Sequence, residues 1–134
     1  MTKKAAFVVG ATGGLGHAAC LELARDWDGV AIGYRSSLGK AQAVAADLPN
    51  SCEGLPVHCD LSDKPSIASS IEQARDHFGH IGTVVFASGV AIGQPYVSKI
   101  SEPEWRDVID TELLGLTRVV SATLPIFREQ GGGN

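Results

Sequence analysis

The chain has 134 residues, 44% hydrophobic and 19% charged, with a net charge of −4. That length fits one domain with a buried core, and that composition excludes a disordered chain, which lacks the apolar content to offset ordering entropy. The acidic balance argues against nucleic-acid binding through a basic face, and no apolar run approaches the roughly 18–20 residues of a membrane span.

Ala5 to Val9 is a short, almost wholly apolar run, as expected for a strand buried on both faces. It is too short for the core of a signal peptide, and Gly10 breaks it. Residues 14–26 are predicted helical with Leu15, Ala18, Ala19, Leu23 and Ala24 inward. Val30 to Tyr34 is a second strand, and residues 38–48 carry Ala41, Val44, Ala45 and Leu48 on one helical face. Leu55 to Cys59 is a third strand. Asp63 then caps a helix with Pro65 in its first turn and Ile67, Ile71, Ala74 and Phe78 on its inner face. Thr83 to Ala87 is a fourth strand. A long helix runs from about Pro103 to Arg128, with Pro125 expected to kink or end it.

This β-α-β-α-β-α-β-α order predicts an α/β fold, a doubly wound parallel sheet with helices on both faces. The last helix carries an apolar stripe, Ile109, Leu113, Leu116, Val120, Leu124 and Phe127, flanked by Trp105, Val108, Leu114 and Val119. A helix this widely apolar needs two partners. It is either a deeply buried central helix, or it packs on the sheet and on a further element or second subunit. Cys20, Cys52 and Cys59 are odd in number and form no CxxC, which fits a cytoplasmic protein with free thiols. His77 and His80 lack a third ligand at motif spacing and read as a solvated helix end, so no metal site is expected.

The strongest local motif is Gly10-Ala11-Thr12-Gly13-Gly14-Leu15-Gly16, which leaves the first strand and opens the first helix. Unpaired N–H groups and the positive dipole end of that helix suit a pyrophosphate. Gly10, Gly14 and Gly16 suit the tight turn, the backbone approach and close packing of helix on strand. Their G-x-x-x-G-x-G spacing resembles the cofactor loop of the short-chain dehydrogenases/reductases, Rossmann-fold oxidoreductases that use NAD or NADP. Asp60-Leu61, after the third strand, is similar to the family's pair beside adenine; the other reading of Asp60 is a turn cap. Ala87-Ser88-Gly89 falls where the family carries Asn-Ala-Gly, and Glu112 replaces the asparagine of the family's long helix. Glu112 faces either the cofactor cleft or solvent.

After the second strand stands Tyr34-Arg35-Ser36-Ser37, with no carboxylate. An acidic residue there would bind the ribose hydroxyls of NAD, whereas Arg35 and Ser36 suit the 2′-phosphate of NADP, which is favoured over NAD. The other reading of Arg35 is a solvated charge. The resemblance implies the strand order 3-2-1-4, with the fourth strand as a bare edge. It also implies a catalytic serine, and a tyrosine and lysine four residues apart, beyond Asn134. Residues 1–134 thus read as the N-terminal part of a longer domain that transfers hydride between NADP(H) and a carbonyl or alcohol. A homo-oligomer through the 103–128 helix is expected. The alternatives are a non-catalytic dinucleotide-binding or interaction module, or a degenerate truncated product. No residue is placed as proton donor: Tyr96 and Lys99 are three apart and lie in a loop.

Overall fold

The structure, a computed structural model, describes residues 3–89 and 96–134. Strands β1 (Ala5–Val9), β2 (Gly29–Tyr34), β3 (Glu53–His58) and β4 (Ile81–Phe86) pair in parallel in the order β3-β2-β1-β4. Between them run α1 (Gly14–Leu23), α2 (Leu38–Asp47) and α3 (Lys64–Phe78). After β4 come a 3₁₀ turn (Val97–Lys99), α4 (Glu102–Val108), a π-helical turn (Ile109–Leu114) and α5 (Gly115–Gln130).

β1 is central and wholly buried. Its alternation divides the core: Ala5, Phe7 and Val9 pack with Ile67, Ile71, Val119 and Ile126 of α3 and α5. Val8 packs with Cys20, Ala41 and Val44 of α1 and α2. Helices therefore cover both faces, which is why this strand is a continuous apolar run rather than an alternating one. β3 and β4 begin two residues earlier than predicted. Cys59 and Ala87, the predicted strand ends, each add one amide bond, to the Tyr34 carbonyl at 2.7 Å and the Val9 carbonyl at 2.9 Å.

Three helix expectations need correction. On α1 the inner face is Gly16, Cys20 and the C-cap Ala24, while Ala18 is exposed and Leu15 is 77% exposed. A Cβ on Gly16 would lie 2.1 Å from the Gly10 carbonyl oxygen. The backbone of α1 thus touches the preceding turn at Gly16, and that contact sets the helix rotation and turns Leu15 outward. Burial on this face pushes the Cys20 thiol up to about 12, so it is an apolar packing residue rather than a nucleophile. Asp63 occupies the N-cap of α3 but its side chain makes no capping bond, and Pro65 is in the first turn as expected.

The third correction concerns the last helix. It starts at a capping box, in which the Glu104 amide donates to Ser101 Oγ and the Ser101 amide donates to the Glu104 carboxylate. It then passes through the π turn, closed by the Gly115 amide donating to the Asp110 carbonyl. Below that turn the buried face of α5 is Gly115, Val119, Thr123 and Ile126. Of the predicted stripe, Ile109, Leu113, Leu116, Val120 and Leu124 lie on the outer side, 39% to 57% exposed, and Phe127 packs against the core, so the helix is not deeply buried but covers the sheet and leaves a second face open. Pro125 sits inside α5, which ends only at Gly131 with φ 90°. The chain then turns back on β4: the Asn134 amide donates to the Gly82 carbonyl at 3.0 Å, and its carbonyl accepts from the Val84 amide at 2.8 Å. The Gln130 side chain bonds both backbone groups of Ile81. The outer edge of β4 is therefore partly paired, not bare.

Candidate functional site

All four strands are parallel, so their C-terminal ends share one edge of the sheet. There the loops after β1 and β4 diverge to opposite faces, which opens a crevice. The crevice is a cleft of about 700 Å³. Its lining includes Gly10, Thr12 and Gly13 after β1, Arg35 after β2, Asp60 and Leu61 after β3, and Ala87, Ser88 and Gly89 after β4. Four loops far apart in sequence meet there because the sheet order brings their strand ends together.

The floor is a backbone contact. Gly10 has φ 76°, a left-handed conformation that favours glycine, and a Cβ on it would lie 2.6 Å from Ser88 Cα. Only a residue without a side chain lets the β1 and β4 loops close so tightly. The N-cap residue of α1 is Gly13, which has no side chain to cap the helix, and its first turn holds no acid. Gly14 and Gly16 lie beside the cleft without lining it: Gly16 packs against Gly10, whereas a Cβ on Gly14 would meet nothing within 4 Å. Leu15 points to solvent and Ser36 is exposed outside the lining.

Arg35 is the one cation lining the cleft among the described residues. Asp60 faces it. The Ser62 hydroxyl and amide donate to Asp60 Oδ1 at 2.7 and 2.9 Å, and with a smaller contribution from Arg35 they hold this carboxyl below the usual range. Asp60 is thus both a turn residue and an ionised acceptor at neutral pH. The ring of Tyr34, also in the lining, meets His58 edge-on at 5.7 Å.

The sequence reading missed Asp107, Asp110 and Thr111, which also line the cleft. Their i, i+3, i+4 spacing puts them on one helical side; only the polar character of that side, against the apolar stripe beside it, could have singled them out. Glu112 is exposed and outside the lining, but its Oε1 lies 3.2 Å from where a Cβ on Gly89 would sit. Tyr96 is 84% exposed and does not line the cleft. A second, shallower cleft of about 560 Å³ at the opposite end of the sheet includes Lys3, Asp28, Cys52 and Glu53. Glu53 there pairs with Lys3, and with His77 at 2.6 Å.

Residues 4–134 match a family model described as short chain dehydrogenase. The chain is 28% identical over 131 residues to a 3-oxoacyl-[acyl-carrier-protein] reductase of Staphylococcus aureus, covering 97% of this chain and 53% of that protein. A reductase of the same description from Pseudomonas aeruginosa is 35% identical over 122 residues, 90% of this chain and 49% of that one. Among solved structures, a short-chain type dehydrogenase/reductase from Mycobacterium marinum superposes with a TM-score of 0.88 at 25% identity, covering 98% of this chain and 53% of that one. A 3-ketoacyl-(acyl-carrier-protein) reductase from Brucella melitensis, complexed with NADH, superposes with a TM-score of 0.86 at 23% identity, covering 96% and 51%. The chain therefore spans about half the length of the relatives it matches.

Proposed function

The chain belongs to the short-chain dehydrogenase family, and from that premise we propose that its cleft holds NADP(H) and that the whole protein transfers hydride between NADP(H) and a carbonyl or alcohol substrate. The carrying observation is the convergence of a glycine turn, a helix N-terminus with glycine at its N-cap and the arginine Arg35 on one cleft at the strand ends. A nicotinamide dinucleotide, when bound, supplies the hydride chemistry.

This chain's own residues bind and orient. The first-turn amides of α1 and the loop Gly10–Gly13 face a pyrophosphate, for which the helix dipole is favourable. The empty space beside Gly14 leaves backbone open to such a group. Arg35 offers a planar fork to the 2′-phosphate, with the Ser36 hydroxyl next in sequence. Asp60, kept ionised by Ser62, accepts from the exocyclic amine of adenine, and Leu61 packs beside the ring. Ala87, Ser88 and Gly89 line the far end of the cleft with small side chains. The odd cysteine count without a CxxC supports a cytoplasmic setting.

Arg35 carries the choice between the two dinucleotides. In fluorescence titrations, Arg35→Ser is expected to weaken NADPH binding by about tenfold or more, since a charge-assisted bond is lost, and to leave NADH binding nearly unchanged. Tighter binding of NADH than NADPH by the wild-type chain, or equal losses for both in the variant, would contradict the assignment.

A non-catalytic dinucleotide-binding module is the second reading. It is favoured by Glu112, a carboxylate against Gly89 where the family carries asparagine. Oxidation of bound NADPH by a carbonyl substrate would exclude it.

A further inference from the structure

Arg118 lies on α5, outside the cleft lining, with its side chain 23% exposed. Its Nη1 donates to the Leu61 carbonyl at 2.8 Å and, more weakly, to the Asp110 carbonyl at 3.4 Å. Its Nη2 donates to Asp110 Oδ1 at 2.9 Å. The same Asp110 carbonyl accepts the Gly115 amide that closes the π turn. Leu61 in turn rests on Gly115, where a Cβ would come within 3.2 Å of the Leu61 Cβ. Leu61 and Asp110 line the cleft from two different walls, one from the β3 loop and one from the π turn. One guanidinium therefore ties both walls together from behind.

We propose that Arg118 is a positioning residue for the adenine half of the cleft: its fork fixes the distance between the Leu61 loop and the π turn that carries Asp110. The proposal rests on the dinucleotide reading above for the word adenine; the clamp itself is geometry. A planar group with several fixed donors can serve a carbonyl and a carboxylate at once, whereas a lysine ammonium at the end of a flexible stem holds one geometry poorly. Without Arg118, the Asp110 carboxylate and the Leu61 carbonyl lose this donor together, and the loop keeps only the packing of Leu61 in the core and the Asp60–Ser66 bond. The far end of the cleft is closed by the Gly10–Ser88 backbone contact, in which Arg118 takes no part.

The test uses Arg118→Met and Arg118→Lys beside the wild-type chain. Three quantities are read: affinity for adenosine 2′,5′-bisphosphate and for NADPH, the nicotinamide emission maximum of NADPH at saturation, and amide exchange at residues 60–63 without ligand. Arg118→Met is expected to weaken both ligands by a similar factor, about tenfold, with the emission maximum unchanged and exchange at 60–63 accelerated. Arg118→Lys should recover only part of each loss, and it carries the test if the methionine variant does not fold. Unchanged affinities and unchanged exchange would overturn the proposal while leaving the dinucleotide reading intact. A shifted emission maximum would also overturn it, because the role would then be general to the fold. If the wild-type chain bound neither probe, both readings would fall together.

Discussion

Gly14 and Gly16 stand two residues apart in the same helical turn and answer to different constraints. A side chain at position 16 would run into the Gly10 carbonyl at 2.1 Å, a backbone atom that cannot step aside, while position 14 opens on free space. Gly16→Ala is expected to cost about 2–3 kcal/mol in chemical denaturation, as overpacking of a tight backbone contact does. Gly14→Ala should stay within about 0.5 kcal/mol of the wild type, as for a substitution with nothing to strike. Equal losses would refute the assigned contact. The glycine motif itself was legible because it is local: its spacing, the strand before it and the helix after it lie in one stretch of sequence. Which glycine serves packing and which leaves a surface open was not legible, since the contact involves the rotation of α1 against the turn. The same holds at Asp60. Its place after β3 could be read, but the Ser62 bonds that keep it ionised depend on how the loop folds.

The strands, α2 and α3 follow their periodicity closely, because the apolar face of each repeats without interruption; α1 departs from it, since the Gly16 contact sets its rotation. The last helix departs as well. Its apolar stripe stays on one side through the π turn at Ile109–Leu114, and the sheet is covered instead by Gly115, Val119, Thr123 and Ile126. Asp107, Asp110 and Thr111 reach the cleft through that same packing. The displaced stripe of Ile109, Leu113, Leu116, Val120 and Leu124 leaves adjacent half-exposed apolar side chains on one helical side. Such a patch marks an association surface, and we propose that a second copy of this chain covers it. Val120→Glu with Leu124→Glu is expected to shift the sedimenting species to the monomer while NADPH affinity is kept. A wild-type chain that sediments as a monomer at all concentrations would rule this out.

At the scale of the molecule, a four-stranded parallel sheet with helices on both faces gathers its loops at one edge, and the cleft follows from that order. The fold class and strand order were readable from the alternation of elements together with the family resemblance. The pairing of Asn134 with β4 was not, because Gly131–Gly133 carry no side-chain pattern and only the turn after α5 directs them to the sheet edge. The central claim is that a dinucleotide lies across this edge, and backbone NMR of the labelled chain titrated with NADPH tests it most directly. The expected result is saturable shift changes at residues 10–16, 35–36, 60–61 and 87–89, with Lys3, Cys52 and Glu53 at the opposite end unmoved. No saturable change, or changes concentrated at that opposite cleft, would contradict it.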